Sequence, residues 1–364
     1  MDGKNVGMDF IGKDGTQGQV ASVFAGSGLN VNQMRPYLGK DGRAYITVYK
    51  GGDAKDPTNY ASVPIQTNAT LRRDEWVRLD EAVLRIAESR LGGVQDLVTR
   101  GLVYDIGDGM GSTVLEYHDV SDALEADLTM DGVSRARGDR PNYSANYLPL
   151  PIIHADYELN ARVLAASRNL GQPLDTTLAE RASRKVSEKL ENLLFTDTTY
   201  AFGGGTIYSL MNHPNRNKKN LTKAWSTPAT GSEIITDVLA MKQEAIAAHH
   251  YGPWVLYIPT AYETIIDRDY DSTRGNTIRE RILAISGIED VKVIDTLPAN
   301  TVLLVQMTSD VVRLVRGMGI QNVEWQTEGG LITKYKVMTI QVPQVRADQD
   351  GNSGIVHGGI SIED

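Results

Sequence analysis

His118, His154, His213, His249, His250 and His357 are the imidazoles of this chain, and none stands in a His-Glu-x-x-His or comparable ligand spacing. The pair His249–His250 falls where a helix should end, and a favourable interaction with the helix dipole accounts for it better than a metal site. His213, just before Pro214, reads as a turn residue. Gly203-Gly-Gly205 is not followed by Lys-Ser/Thr, so it lacks the cation and hydroxyl of a phosphate loop. Asp348-x-Asp350-Gly351-Asn352 has the front of a calcium loop without the later bidentate glutamate, which leaves a β-turn. Arg137-Gly138-Asp139 is an adhesion tripeptide too short to carry weight. There is no Gly-x-Ser-x-Gly elbow, and zero cysteines exclude a thiol nucleophile, disulfides and thiolate-bound metals. The expectation is a structural protein, with no catalytic residues, no metal and no cofactor.

The elements point the same way. Leu174, Leu178, Ala182, Val186, Leu190 and Leu194 recur every four residues, a spacing that drifts slowly round a helix and gives a long apolar stripe. Glu180, Arg181, Arg184, Lys185, Glu188, Lys189 and Glu191 occupy the faces between. Thr177 and Glu180 have the spacing of a capping box, with Pro173 just upstream. About twenty residues at ~1.5 Å each make a rod of ~30 Å. Such a rod suits a mechanical spine.

This charged spine helix, followed by Phe202-Gly-Gly-Gly-Thr206 and Leu210-Met-Asn-His-Pro214, resembles the major capsid proteins of tailed bacteriophages. Their Hong Kong 97-type fold is shared with encapsulin shells. Arg73-Asp-Glu-Trp76 opens a helix as a related Glu-Trp does in encapsulins. Pro149-Leu-Pro151 leading into Tyr157-Glu-Leu159 is similar to the family's return from its extended loop into its peripheral domain. The resemblance covers roughly residues 71–364. It implies an α+β fold with an N-terminal arm at 1–70 and a peripheral domain beginning at 71–118. An extended β-hairpin loop at 119–153 would follow, then the peripheral domain again with its spine helix at 154–200. An axial domain at 201–320 and final peripheral strands at 321–364 complete it.

Composition is compatible with that. At 364 residues and 41% hydrophobic positions the chain can bury one complex core or two simple ones. The absence of cysteine fits folding in a reducing cytoplasm. The start lacks a signal-peptide pattern and no run approaches the ~18 apolar residues of a membrane span, so a soluble, cytoplasmically made protein without membrane contact is expected. A net charge of −9 is the wrong sign for condensing nucleic acid by phosphate neutralisation, and suits a shell filled by a motor. Sixteen tyrosines against four phenylalanines suit half-wet contacts or an ordinary core equally.

Residues 1–70 are glycine-rich. Gly12-Lys-Asp-Gly15 and Gly39-Lys-Asp-Gly42 are turn material, and Arg43–Lys50 alternates like a strand. Lacking a core of its own, this segment is expected to be disordered or to lie across a neighbour, with Ala44–Tyr49 adding to a neighbour's sheet edge. A helix from Leu71 should bury Trp76, Leu79, Val83 and Ile86 and end at Gly92-Gly93, with short strands over 94–118. Three capping boxes (Thr230/Glu233, Thr260/Glu263, Thr277/Glu280) parse the region 201–320 into helices alternating with strands at Trp254–Ile258, Val291–Ile294, Thr301–Met307 and Val311–Val315. Leu331–Val345 is a long strand, and Gly354–Ile362 should return against the spine helix.

Between Asp119 and Arg140 charge is segregated. Asp119, Asp122, Glu125, Asp127 and Asp131 come first; Arg135, Arg137 and Arg140 follow around an Asp131-Gly132 hairpin turn. Either the two arms pair on a solvated loop, or each meets an oppositely charged surface on an adjacent subunit, as the family's extended loop would. Exposed pairs are worth only ~0–1 kcal/mol each and set register more than strength. No lysine lies between Lys55 and Lys185, an interval with thirteen arginines. Some members of the family weld subunits through a loop lysine, which this loop does not have; its arginines instead offer directional carboxylate pairs.

The resemblance therefore implies a major capsid protein assembling as hexamers and pentamers into a noncovalent icosahedral shell round a double-stranded DNA genome, with its location in the virion. Partners would be copies of itself, a separate scaffolding protein, a portal, cement or decoration proteins, and DNA held without sequence-specific contact. An encapsulin-type shell is the alternative, and an α/β enzyme on residues 201–320 a third.

Overall fold

The computed structural model describes residues 9–11, 17–19, 37–41, 43–49, 60–65, 71–90, 92–120, 130, 143–162, 165, 176–226, 229–271, 275–327, 331–348, 351–360 and 362. In chain order, short strands β1 (Asp9–Ile11) and β2 (Gln17–Gln19) precede β3 (Tyr37–Leu38), β4 (Ala44–Tyr49) and β5 (Tyr60–Ile65). Helices α1 (Arg73–Arg90) and α2 (Gly92–Thr99) lead to β6 (Val103–Asp105), β7 (Val114–Val120), β8 (Tyr143–Pro149) and β9 (Ile153–Asn160). The long helix α3 (Thr177–Phe195) is followed by β10 (Tyr200–Phe202), β11 (Gly205–Ile207) and β12 (Asn217–Asn220). Then come α4 (Gly231–Ala247), β13 (Trp254–Pro259), α5 (Thr260–Ile266), α6 (Ile278–Leu283) and β14 (Ile288–Ile294). The chain closes with β15 (Val302–Gln306), β16 (Val312–Thr327), β17 (Ile332–Val345) and β18 (Ile355–Gly359).

Two sheets carry the architecture. A four-stranded sheet has the order β6-β16-β17-β9, with β16 and β17 paired antiparallel from Val312↔Val345 to Thr327↔Ile332. A five-stranded mixed sheet has the order β12-β18-β15-β13-β14. Its central strands are buried on both faces, and the two-residue alternation of a strand sorts their side chains between two cores. Val255, Tyr257, Leu303, Val305 and Ile355 join the core built on α3, α1 and the four-stranded sheet. Leu256, Ile258, Val302, Leu304 and Val356 join a second core under α4, α5 and α6. A third cluster, including Leu148, Ile207, Val323 and Ile340, seats the β7–β8 ribbon and β11 against the long strands.

Several expectations are corrected here. Gly92-Gly93 opens a second helix instead of ending the region's helical run, so 94–99 is helix and not strand. The strand read at Val311–Val315 forms, but as the start of the sixteen-residue β16 from Val312, which belongs to the four-stranded sheet. Gly354–Ile362 does not return as a hairpin on the spine helix: β18 inserts into the five-stranded sheet, parallel to β12 and antiparallel to β15. The run Ile-Val-His-Gly-Gly is buried throughout, and a central position is where such a run belongs. β4 lies in an intrachain sheet, paired with β5 along Ala44–Tyr49 and with β3 at Ala44 and Tyr45.

The boxes at Thr230/Glu233 and Thr277/Glu280 form as read, each reciprocal between side chains and backbone. The other two do not. α5 is entered from Pro259, and the Thr260 hydroxyl donates to Asp295 instead. α3 is entered from Thr176, whose hydroxyl donates to Glu180 without capping the backbone.

Candidate functional site

The spine helix buries Ala182, Val186, Leu190 and Leu194 as read, but Leu178 is exposed and Leu174 lies outside the described residues. A strict four-residue repeat advances about 40° per step past the 3.6-residue turn, so Leu178 stands about 160° round the axis from Leu194. The face that packs is Ala179, Ala182, Ser183, Val186, Ser187, Leu190, Glu191, Leu193, Leu194 and Phe195. Its small residues let α1 approach, and Ser183 Oγ donates to the Val83 carbonyl at 2.7 Å.

Glu191 was expected on the charged face and is buried. Its carboxylate accepts from the Gly93 amide at 2.7 Å and the Val94 amide at 3.3 Å, occupying the N-terminus of α2. That is where a helix has unpaired N–H groups and positive potential. Burial, with a contribution from Asp295, pushes the Glu191 pKa up to about 7, and the two amide hydrogen bonds oppose it. Gly93 lets the helix end approach closely here, since a Cβ there would sit 2.1 Å from Phe195 Cε2 and the ring would have to shift.

One turn further along α2, Asp96 faces the five-stranded sheet. It accepts from Lys292 Nζ at 2.6 Å, Tyr257 Oη at 2.7 Å and Arg100 Nε at 3.0 Å. Arg100 also pairs with Glu289. Burial alone would raise the Asp96 carboxyl, but Lys292, Tyr257 and Arg100 together hold it below the ordinary value. Helix α2 is thus a strut, tied at its N-terminus to the spine and at its middle to β13 and β14. Sequence reasoning missed it because two glycines read as a stop. The available signal was Asp96, a carboxylate on the apolar face with Val94 and Leu97.

The Leu210-Met-Asn-His-Pro214 string is a turn that buries Leu210 and His213, leaves Pro214 exposed, and carries the chain from the spine to the five-stranded sheet. Leu210 N donates to Leu194 O at 2.9 Å, and Ser209 and Asn212 hydrogen-bond to each other's backbone amides. Arg216 links His213 and His357, donating to the His213 carbonyl at 3.0 Å and His357 Nδ1 at 3.2 Å. Burial, then the Arg216 cation, lowers both imidazoles to about 4. The histidines are less scattered than the sequence suggests. His118, His249 and His250 line one cleft of about 340 Å³ with Asp310, Arg346 and Asp348. His249 takes a left-handed conformation (φ 61°) just past α4, and Asn352 N bonds Asp348 Oδ1 across the turn read from sequence. Among the described residues no three histidines or carboxylates are placed to hold a metal ion, and no helix is long and apolar enough to cross a membrane.

The charge-segregated residues Asp122, Glu125, Asp127, Asp131, Arg135, Arg137 and Arg140 lie outside the described residues. Their root is described: β7 and β8 pair antiparallel from Val114↔Pro149 to Val120↔Tyr143. The β10–β11 hairpin packs on it so closely that a Cβ on Gly205 would lie 2.0 Å from the Tyr147 carbonyl oxygen.

A long spine helix under two sheets, with a ribbon carrying an inserted loop, is the Hong Kong 97-type capsid fold. The chain superimposes on a virus-like particle protein from Pyrococcus furiosus with a TM-score of 0.56 at 18% identity, covering 78% of this chain and 98% of that one. It matches the capsid protein of the Myoviridae phage XM1 at the same TM-score and 8% identity, over 74% and 92% of the two chains. In sequence, residues 66–358 match the family of unknown function DUF6260, and the chain belongs to that family. It is 24% identical over 204 residues to the type 1 encapsulin shell protein of Myxococcus xanthus, covering 56% of this chain and 66% of that protein. A diheme-cytochrome-encapsulin shell fusion protein of Kuenenia stuttgartiensis is 23% identical over 247 residues, 67% of this chain and 63% of the relative. The chain spans just under two thirds of the length of either relative.

Proposed function

We propose that this protein is the major capsid protein of a tailed phage, assembling as hexamers and pentamers into a noncovalent icosahedral shell around double-stranded DNA. The observation that carries the shell reading is the fold, shared across nearly the full length of a particle-forming protein and a phage capsid protein. Closed symmetric assembly tolerates modest contacts because each subunit is held by several neighbours at once. Residues 1–65, ahead of the family match, favour a phage head over a nanocompartment, since the encapsulin pattern starts close to its Glu-Trp helix. In this reading the four-stranded sheet and α3 form the peripheral domain and the five-stranded sheet the axial one. The ribbon is the extended loop, the shell resides in the virion after assembly in the host cytoplasm, and a separate scaffold, portal and cement proteins complete it.

The sequence relatives give the encapsulin reading its support. Particle size and nuclease-protected nucleic acid separate the two. Megadalton particles purified from infected cells with protected double-stranded DNA establish the phage head. Particles that hold protein cargo and no DNA establish the compartment, and a small oligomer removes both. The lysine-free loop predicts single-subunit bands after boiling in denaturing detergent; covalent ladders would refute the noncovalent shell.

A further inference from the structure

Two carboxylates hold α2, and their surroundings differ in kind. Asp96 meets two cations and a phenol. Glu191, only 4% exposed, is met by two backbone amides and, among the described residues, by no cation within ion-pair distance. The groups facing it are acidic or neutral. Glu188 and Asp295 line the same cleft of about 450 Å³, with Gly92, Asn192 and Thr296. From β13, Tyr257 interacts with it electrostatically while its hydroxyl is committed to Asp96. The cations of the neighbourhood, Lys292 and Arg100, are spent on Asp96, Glu289 and Asp290. The two amide bonds favour the ionised carboxyl, but the cost of burying an ion without a counter-ion and near Asp295 outweighs them, whereas the neutral acid can stay and still accept from an amide.

We propose that Glu191 is a proton-operated latch between the spine helix and α2, closed when the carboxyl is protonated and released when it ionises. Because α2 also grips β13 and β14 through Asp96, release would loosen the tie between spine and five-stranded sheet. The latch is a property of the folded chain. Its use in adjusting subunit shape within a shell rests on the proposed function.

The sign follows from linkage. A carboxyl raised from its ordinary value to about 7 when buried favours the closed form fully below about pH 4.5. That advantage falls tenfold per pH unit as pH rises, and is gone above about 7. Asp96 is held low and His213 and His357 are lowered to about 4, so across that window the carboxylate stays ionised and both imidazoles stay largely neutral.

Hydrogen exchange at the Gly93 and Val94 amides of the full-length protein, corrected for intrinsic rates, tests it. Protection should fall on the order of a hundredfold between pH 4.5 and 7.5 and stay flat above. In Glu191→Gln it should be pH-independent. Asp295→Asn, which removes the facing charge without touching α2, should move the midpoint down. Flat protection in the unaltered protein, or an unmoved midpoint in Asp295→Asn, would overturn the latch. Either result leaves the shell reading to be judged on particles alone.

Discussion

Tyr257 donates its phenolic proton to Asp96 Oδ2 at 2.7 Å across 161 residues of chain, and its ring meets Phe195 edge-on with centroids 5.0 Å apart. One side chain therefore touches the strut, the spine and the five-stranded sheet together. Removing the carboxylate would take from Lys292, Arg100 and Tyr257 their shared buried acceptor while leaving the two cations Asp290 and Glu289, so the cost should be about 2–3 kcal/mol, below the full penalty of a wholly buried broken pair. Asp96→Ala should show that loss as a lowered denaturation midpoint at unchanged denaturant slope. Lys292→Met leaves Asp96 with Arg100 and Tyr257 and should cost about 1–2 kcal/mol. Equal losses in the two variants would mean that the cluster is not centred on Asp96.

Acid should act through a different pair. His213 and His357 are lowered to about 4 in the fold against an ordinary value of 6.5, so the unfolded chain binds more protons between those limits. Their contribution is fully present above about pH 6.5 and is lost as pH falls toward 4, at up to about 1.4 kcal/mol per unit for each. The sign is opposite to that of Glu191. In His213→Gln/His357→Gln the acid limb of the stability profile should flatten between pH 6.5 and 4; an unaltered limb would show that Arg216 and burial do not shift these imidazoles.

Gly93 tests the closeness of strut and spine. An added methyl would meet Phe195 at 2.1–2.5 Å, and overpacking of this kind costs about 1–3 kcal/mol. Gly93→Ala should fall in that range in thermal unfolding, and Phe195→Leu should return part of it in the double variant. Additive losses would mean that the two do not meet.

What could be read from sequence depended on how local the cause was. The capping boxes at Thr230 and Thr277 act over three residues and form as read. Buried strands such as Trp254–Pro259 announce themselves by composition. Sheet membership is different, because β18 and β12 become neighbours only once the 138 residues between Asn220 and its partner Gly359 have folded, and no local pattern records that pairing. Glu191 was opaque for a related reason. A carboxylate next to Leu190 reads as a charged face until its partners from distant elements are known, and although Asp96 shares a face with Val94 and Leu97, nothing local names the groups that meet it. Leu178 failed through arithmetic alone, since a period of four is not a period of 3.6.

The ribbon gives the most direct test of the assembly reading. Val120 and Tyr143 lie opposite each other at its described tip, so residues 121–142 can be replaced by Asn-Gly, the pair suited to the tight hairpin turn that right-twisted strands accept. If the segment serves assembly and not the subunit's own core, the stability of the subunit should change by less than about 1 kcal/mol, as for surface changes away from packed features. If Asp122, Glu125, Asp127, Asp131, Arg135, Arg137 and Arg140 dock on neighbouring subunits, the shortened chain should stay folded by circular dichroism and form no closed particles in electron micrographs. Charge reversal of the arginine arm alone should weaken assembly more at low than at high ionic strength, because exposed charges are screened within about 10 Å at 0.1 M salt. Native-sized particles from the excised chain would remove the loop from the assembly interface and leave the edges of the two sheets to hold the shell.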